Sequence, residues 1–316
     1  MRSSINKSSN KPSRIQSLVT GQNVVYAGMA WAVGSLLFFL LFSVTIPGEN
    51  RFGYLFGTYI LECVPFLGAA LLCYRNWGSP QIPSGRNVWL GIGLGMLGYL
   101  IANVIFGVWE LHFHLDPDVS PADFFYLISY ISIGWGMILA VLPRRLNLEM
   151  WQWGIVGAIA AVGIAFAIWI LVAAPGADDP APAVVALETA KNSPGWVVGI
   201  DNLLSPLSRQ VNFLYIVLDV CLLILASTLL LAFWGGRFAQ SWRMIAAATL
   251  SLYIADMGFK YADALAQAKG QEYESGGLLD VFFIFSAVLF AIGAALEYDV
   301  SSRSRRSSRR RTEGKQ

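Results

Sequence analysis

The chain has 316 residues, of which 56% are hydrophobic and only 13% are charged, whereas about 25% of the residues in an average soluble domain are charged. This composition excludes a soluble globular protein and indicates a polytopic membrane protein. Lys and Arg number 22 and Asp and Glu number 20, so the formal net charge is only +2. The positions of the charges are therefore more informative than their sum.

Eight stretches reach the length of about 20 mostly apolar residues that a membrane-spanning helix needs. They lie near residues 24–46, 55–74, 88–110, 123–143, 152–174, 211–233, 242–263 and 279–297. A basic tail longer than that of a secretory signal precedes the first stretch, so we expect this span to be retained. The expected fold is all-α, with eight transmembrane helices.

Basic residues cluster in alternate connections between these spans. With the N-terminus inside, the outer connections carry only Arg51, Lys191, Arg209 and Lys269, and Lys260 lies within a span. The inner connections and the two tails carry all the other Lys and Arg residues. Because basic residues accumulate on the cytoplasmic side, both termini are expected in the cytoplasm.

The third span carries Gly91 and Gly95, a small-xxx-small spacing that predicts close approach of another helix. Tryptophans near span ends are typical of the aromatic belt at a membrane surface. We assign to this belt Trp77, Trp89, Trp151, Trp153 and Trp242. Both features concern packing and position in the bilayer rather than a reaction.

The two histidines, His112 and His114, lie near Glu110 and Asp116 in the external connection after the third span. Histidines beside carboxylates suit a zinc site or a group that titrates near neutral pH. Their alternating spacing brings at most two ligands to one face. We therefore favour an ordinary interfacial loop and expect no metal, with these histidines as weak candidates only.

The second half of the sequence repeats the first. At an offset of 153, the matched positions are Trp89 and Trp242, Asn103 and Asp256, Phe106 and Phe259, and Glu110 and Asp263. At an offset of 157, they are Glu62 and Asp219, Asp123 and Asp280, and Phe125 and Phe282. Four spans per copy give both copies the same orientation, which predicts a pseudo-two-fold axis along the membrane normal. Chance similarity between apolar helices is the alternative, which the rarity of acids within spans disfavours.

The repeat divides the chain into four parts. A basic cytoplasmic tail (1–22) precedes the first four-helix half (23–145), and a second basic tail (299–316) follows the second half (146–298). The second half includes the proline-rich external connection 175–210. This connection is too small for a separate domain, and we expect either a short external cap or a surface-lying helix around residues 183–190 there.

Several polar residues fall within or beside the spans. An ionised side chain costs about 2.5–3.5 kcal/mol at the bilayer centre, so these residues should face the bundle interior. We expect a polar cavity, open to the outside, lined by the second, third, sixth and seventh spans. The candidate ligand-binding or proton-linked residues are Glu62, Asn103, Glu110, Asp219, Asp256, Lys260 and Asp263.

For four of the polar residues, a role in packing or capping is favoured over a role in ligand binding. Asp256 and Lys260 are four residues apart, the favoured order for an ion pair within a helix. Asp123 and Asp280 start the fourth and eighth spans, where an acid caps a helix. For Glu62 and the matched Asp219, a functional role and a packing role are equally supported.

One motif resembles a known family. Ser120, Asp123 and Tyr126 stand in Ser-Pro-Ala-Asp-Phe-Phe-Tyr-Leu, and Tyr273, Gly276 and Asp280 follow later in Tyr-x-x-Gly-x-x-x-Asp. The pattern resembles the multi-helix membrane regions found upstream of GGDEF diguanylate cyclase domains in bacterial signalling proteins. In one departure from the motif, Val119 stands where the family usually has proline. Only a short basic tail follows the last span, so we expect no cyclase, phosphodiesterase or kinase domain.

The expected function is a non-catalytic membrane module that binds or senses a ligand at the outward-facing cavity and signals to a cytoplasmic partner. A small transporter or proton-coupled carrier is the alternative, and a structural or assembly subunit of a membrane complex is a third. No motif of an enzyme or cofactor is present in the sequence. The resemblance implies a bacterial plasma membrane.

The expected partners follow from these features. They are the lipid bilayer, anionic lipid at the arginine-rich tail, and a cytoplasmic signalling protein or membrane complex. The tail lies next to the membrane, so lipid is favoured over nucleic acid as its partner.

Overall fold

A computed structural model describes residues 20–44, 51–80, 82–113, 115, 119–142, 148–173, 193–234, 239–268 and 275–313. This part of the chain forms nine α-helices and two short 3-10 helices, and it contains no strand. The α-helices are α1 (Gly21–Phe42), α2 (Phe52–Trp77), α3 (Arg86–Phe113), α4 (Pro121–Val141), α5 (Met150–Ala173), α6 (Gly195–Leu204), α7 (Ser208–Ala232), α8 (Ala239–Ala268) and α9 (Val281–Glu313).

Seven segments of the described chain are helical, long and apolar enough to cross a membrane. They are α1 to α5, the stretch Gly195–Ala232 that contains α6 and α7, and Leu278–Arg303 at the start of α9. Helix α8, which is the predicted seventh span, carries four charged residues that lower its hydropathy: Arg243, Asp256, Lys260 and Asp263. The protein is therefore an all-helical integral membrane protein, and its eighth crossing stays a prediction.

Helix α6 lies within the connection 175–210 but outside the range 183–190, for which a surface helix is the alternative to a cap. Pro194 is its N-cap and Pro206 lies in the 3-10 turn Ser205–Leu207 that follows it. These prolines mark the ends of a helix, since proline is tolerated at a helix start and cannot continue one. Residues 174–192 of this connection lie outside the described part.

Six helices form a closed ring. In order they are α2, α3, α4, α7, α8 and α9, and α9 packs back against α2. Outside the ring, α1 lies against α9 and α5 lies against α7. The ring order is unchanged when α2, α3 and α4 are exchanged with α7, α8 and α9. The predicted parallel repeat requires the two sets of three helices to be equivalent in this way.

The two outer helices carry apolar side chains on their outward faces. On α1, Leu41 is 70% exposed, and on α5, Val172 is 76% exposed. A helix that is apolar on all sides suits a hydrocarbon environment. These surfaces are therefore the ones that lipid would cover.

The ring interior holds a continuous hydrophobic core, and it corrects the assignment of two tryptophans. Trp89 and Trp242 are fully buried, and their ring centres lie 6.3 Å apart. The indole nitrogen of Trp89 donates to Ser84 Oγ at 2.9 Å, a partner that offsets the cost of burying an indole N–H. The belt assignment is wrong for this pair, whereas Trp151 and Trp153 are exposed.

Helices α3 and α4 approach closely at their glycines. A Cβ atom at Gly91 would lie 2.8 Å from the Cα of Gly136, and one at Gly95 would lie 3.0 Å from the carbonyl oxygen of Ser129. Neither helix leaves room for a side chain there. The close approach predicted from the small-xxx-small spacing is confirmed, and it holds α3 beside α4 next to the cavity described below.

Candidate functional site

The ring encloses a cavity of about 150 Å³ at the end where α2, α4, α7 and α9 begin. Its volume is close to that of an engineered protein cavity that binds benzene. All six ring helices contribute to its walls. The ionisable lining residues other than tyrosine are Glu62, Glu110, Asp123, Asp256, Lys260 and Asp280, and the aromatic lining residues are Tyr59, Tyr99, Phe106, Tyr126, Tyr130, Tyr215, Phe259 and Phe283.

The structure brings most of the candidate residues to this one cavity. Its lining includes five of the seven ligand or proton candidates, namely Glu62, Asn103, Glu110, Asp256 and Lys260. Asp219 is buried behind the wall, and the side chain of Asp263 lies outside the described part. The predicted walls from α2, α3, α7 and α8 are present, and α4 and α9 complete them.

A buried acid and amide join α2 to α3. The Asn103 amide nitrogen donates to Glu62 Oε2 at 3.0 Å, and the Tyr126 hydroxyl of α4 donates to Asn103 Oδ1 at 2.7 Å. Glu62 is 9% exposed and Asn103 is 3% exposed. The amide satisfies its donor and its acceptor at once, so the chain of hydrogen bonds needs no added proton.

Proline in α2 connects this region to α1. Pro65 has no N–H, so the carbonyl oxygen of Leu61 lacks its usual partner within the helix. The indole nitrogen of Trp31 in α1 donates to that oxygen at 3.0 Å. Helix α1 is thereby attached beside Glu62.

Two buried acids meet at one hydroxyl in the second half. The Tyr130 hydroxyl lies 2.7 Å from Asp219 Oδ1 and also contacts Asp256 Oδ2. A hydroxyl has one proton and can donate it to one acceptor at a time. The other contact is a hydrogen bond only if that carboxyl group itself carries a proton. If both contacts are hydrogen bonds, these three side chains share one proton in addition to that of the tyrosine.

Further acids lie nearer the cavity mouth. The Tyr59 hydroxyl donates to Glu110, and the Tyr215 hydroxyl donates to Asp123 Oδ1 at 2.8 Å. Asp123 also accepts the backbone N–H of Ser120 at 2.7 Å, as part of a capping box that starts α4. Asp123 therefore caps a helix and faces the cavity at the same time.

The segment before α9 closes one side of the cavity. Gly276 has φ of +86°, its N–H donates to Asp280 Oδ2 at 2.9 Å, and its carbonyl accepts the Tyr54 hydroxyl at 2.6 Å. A Cβ atom at this glycine would lie 2.7 Å from the Tyr54 ring. The turn therefore requires glycine for its backbone angle and for its space. Tyr273 of the same motif lies outside the described residues.

Lys260 is the ammonium group of the cavity wall. Its Nζ donates to Asn212 Oδ1 at 3.4 Å and lies 5.0 Å from the centre of the Tyr215 ring. Asp256, its expected ion-pair partner, instead bonds with Tyr130. The lysine is therefore held by an amide and an aromatic ring from α7. The hydrogen bonds described above for the cavity acids come from uncharged groups.

The two histidines are separate from this cavity. His112 is exposed and its ring packs edge-on against Phe113 at 4.8 Å, while His114 lies outside the described residues. Within the described chain, no three His, Cys, Asp or Glu side chains are close enough together to hold a metal ion. The acids of the cavity are thus too far apart to bind one metal ion together.

Sequence reasoning missed four tyrosines that line the cavity, three of which bond to its acids. A simple signal was present, because each lies three or four residues from a member of the predicted set. The pairs are Tyr59 with Glu62, Tyr99 with Asn103, Tyr130 with Tyr126, and Tyr215 with Asp219. Residues three or four apart share a helix face, so these side chains lie on the same side of their helices as the acids.

The cavity combines five carboxyl groups and one ammonium group with aromatic walls. We compared the chain with family models, with curated proteins and with solved structures. None of them matches. Its function therefore has to be inferred from the chemistry of the cavity and from its position in the ring.

Proposed function

We propose that this chain is a non-catalytic membrane module of eight spans that binds a small ligand in the central cavity and relays the binding to a cytoplasmic partner. The observation that carries the proposal is a single cavity with polar walls from both predicted halves. A ligand that contacts both halves favours one relative arrangement of them. Such differential binding is the condition for a conformational response.

Charge supports an orientation with the cavity on the outer side. Arg75 at the end of α2, Arg86 at the start of α3 and Arg243 near the start of α8 all lie far from the cavity. The positive-inside rule assigns that end to the cytoplasm. The resemblance to membrane regions of bacterial signalling proteins favours a plasma membrane and a signalling protein as the partner.

Helix α9 is the element best placed to carry a signal. Phe283 in its first turn lines the cavity, and the helix continues for 33 residues, which is about 50 Å at 1.5 Å per residue. Near its middle, Ala294 O accepts from Asn76 at 2.8 Å and Glu297 accepts from Ser84 at 2.7 Å, which joins it to α2 and to the segment before α3. A displacement at the cavity would therefore reach the basic end of the helix, where arginines attract anionic lipid.

The test uses a substitution that fills the cavity. Thr58 lines the cavity and is 6% exposed, whereas Leu71 of the same helix is 60% exposed on the outer face. In a chain with Cys63, Cys73 and Cys221 replaced by Ala, spin labels at Tyr74→Cys and Arg303→Cys would report the distance between α2 and α9.

We expect Thr58→Trp to shift the distribution of distances between the two labels, and Leu71→Trp to leave it unchanged. The tryptophan at position 58 occupies the space of a ligand, whereas the one at position 71 faces lipid. An identical distribution in both variants would contradict a relay through α9.

A proton-coupled carrier is the second candidate, and the two acids at Tyr130 favour it. Parallel repeats with a binding site at their interface also occur in transporters. If protons drive transport, proteoliposomes should show flux of a small solute that depends on a pH gradient and is abolished by Asp219→Asn. Absence of any such flux would leave the sensory proposal in place.

A further inference from the structure

We propose that the ligand of the cavity is a small organic cation, such as a primary amine or a quaternary ammonium compound of a few heavy atoms. This inference rests on the proposed function, because it takes the cavity to be a binding site open to the outside. The support comes from the charge balance of the walls, from their aromatic surface and from the size of the space.

The cavity has more acids than its own cation can balance. Five carboxyl groups face one ammonium group, that of Lys260. The hydrogen bonds described for these acids come from neutral donors: from Asn103 to Glu62, Tyr59 to Glu110, Tyr215 to Asp123, Tyr130 to Asp256 and Gly276 to Asp280. None of these donors carries a positive charge. A cation that enters the cavity can pair with a carboxyl group that gives up its proton, whereas Lys260 is the one group of opposite charge that the lining offers an anion.

Aromatic side chains supply the second element of ammonium recognition. Eight of the residues that line the cavity are Tyr or Phe, and aromatic faces attract ammonium groups within about 6 Å. Lys260 already shows this interaction, since its Nζ lies 5.0 Å from the Tyr215 ring centre. The side chain of Tyr99 also lines the cavity, and its hydroxyl oxygen is an acceptor for a ligand N–H or O–H group.

The size of the cavity and the spacing of its acids favour an organic cation over a metal ion. A volume of about 150 Å³ is that of a cavity that holds benzene, so it exceeds what a bare ion fills. No three potential ligand side chains of the described chain converge for a metal. Separate acids on different walls instead suit a ligand with an ammonium group and an apolar body.

Thiol chemistry can measure the preference for charge directly. In the cysteine-free chain, Ser275→Cys places a thiol in the cavity wall and Ser205→Cys places one on an exposed turn outside it. Each variant is treated in membranes with a cationic reagent, trimethylammonium-ethyl methanethiosulfonate, and with an anionic one, sulfonatoethyl methanethiosulfonate. Asn212→Cys, in the wall that α7 contributes, is a second reporter in case Ser275→Cys does not fold.

We expect the ratio of cationic to anionic modification rates to be at least about tenfold higher in the cavity than at position 205, because fields of one sign concentrate ions of the opposite sign by such factors. Glu62→Gln should lower that ratio. Choline should slow the modification in the cavity, whereas 3,3-dimethylbutan-1-ol, its uncharged counterpart of the same shape, should not.

The possible failures are distinguishable. Two results would contradict an organic cation as the ligand: equal rate ratios inside and outside the cavity, or equal protection by choline and the alcohol. Neither result would contradict the proposal that the cavity is a binding site. If neither cavity thiol reacts with either reagent while position 205 does, the cavity is closed to the outside and the proposed function itself fails.

Discussion

The two predicted halves hold matched polar pairs by different means. In the first half, the amide of Asn103 donates directly to Glu62 at 3.0 Å. At the matched positions of the second half, Asp219 and Asp256 are both acids, and a tyrosine joins them. An amide always has a proton to donate, whereas two carboxylates have none. The first pair is therefore complete without an added proton, and the second depends on another group.

That other group comes from the opposite half. Tyr130 belongs to α4, and the position that matches it at the offset of 157 is Ala287 in α9. Ala287 has no hydroxyl, so the second half supplies no counterpart of Tyr130 to Glu62 and Asn103. The comparison teaches that two predicted halves with matched sequence positions can still place a proton-dependent contact on one side only, where the two halves meet.

The largest expected effect comes from removing that contact. Tyr130→Phe leaves two buried acids without their shared donor, which we expect to lower the free energy of unfolding by about 2–3 kcal/mol. Tyr126→Phe removes one hydrogen bond to an amide and should cost about 1 kcal/mol. Unfolding in mixed micelles with increasing denaturing detergent measures both. Equal losses would show that the two halves do not differ in this way.

The next effect concerns the close helix pair in each half. Gly136 and Gly293 match at the same offset, and each packs against the preceding helix of its half. A Cβ atom at Gly136 would lie 2.8 Å from the backbone oxygen of Val88, whereas one at Gly293 would lie 2.7 Å from the terminal side-chain carbon of Ile245. A backbone atom cannot move aside as a side chain can.

We therefore expect Gly136→Ala to destabilise the protein by about 1–3 kcal/mol, the usual cost of overpacking, and Gly293→Ala to cost clearly less. The same unfolding measurement compares them. A larger loss at Gly293 would mean that the second half is the more tightly packed one.

A smaller effect separates the two central tryptophans. Trp89 donates to Ser84, whereas the indole nitrogen of Trp242 has no hydrogen-bond partner within the described chain. Both phenylalanine substitutions remove similar volume, so the difference between them isolates the hydrogen bond. We expect Trp89→Phe to cost about 1 kcal/mol more than Trp242→Phe, and equal melting temperatures would contradict this.

Charge and hydropathy are sufficient to predict much of the architecture. Acids within apolar stretches are costly, so the sequence by itself assigns Glu62 and Asp256 to the interior. Glycine spacing likewise predicts the contact of α3 with α4. These features are predictable because a bilayer penalises the alternatives strongly.

Other features depend on the partner that a side chain meets in three dimensions. A tyrosine or tryptophan suits both a belt and a core, so the sequence does not reveal that Trp89 is central or that Tyr130 bridges two acids. Helix α6 was missed because prolines were taken as signs of irregular chain, although they also mark helix ends. The choice between these roles is made by packing, which a single sequence does not display.

The smallest change in stability should accompany the most informative substitution. Asp256→Asn reproduces in the second half the acid and amide of the first, so the new amide can donate to Asp219 and the added proton is no longer needed. We expect less than about 1 kcal/mol of change, since one hydrogen bond replaces another, together with loss of the infrared C=O stretching band of a protonated carboxylic acid. Asn103→Asp should do the reverse and add such a band, because it places two acids in the first half. A wild-type spectrum without that band at neutral pH would show that Asp219 and Asp256 are both ionised, and the difference between the halves would then lie in packing alone.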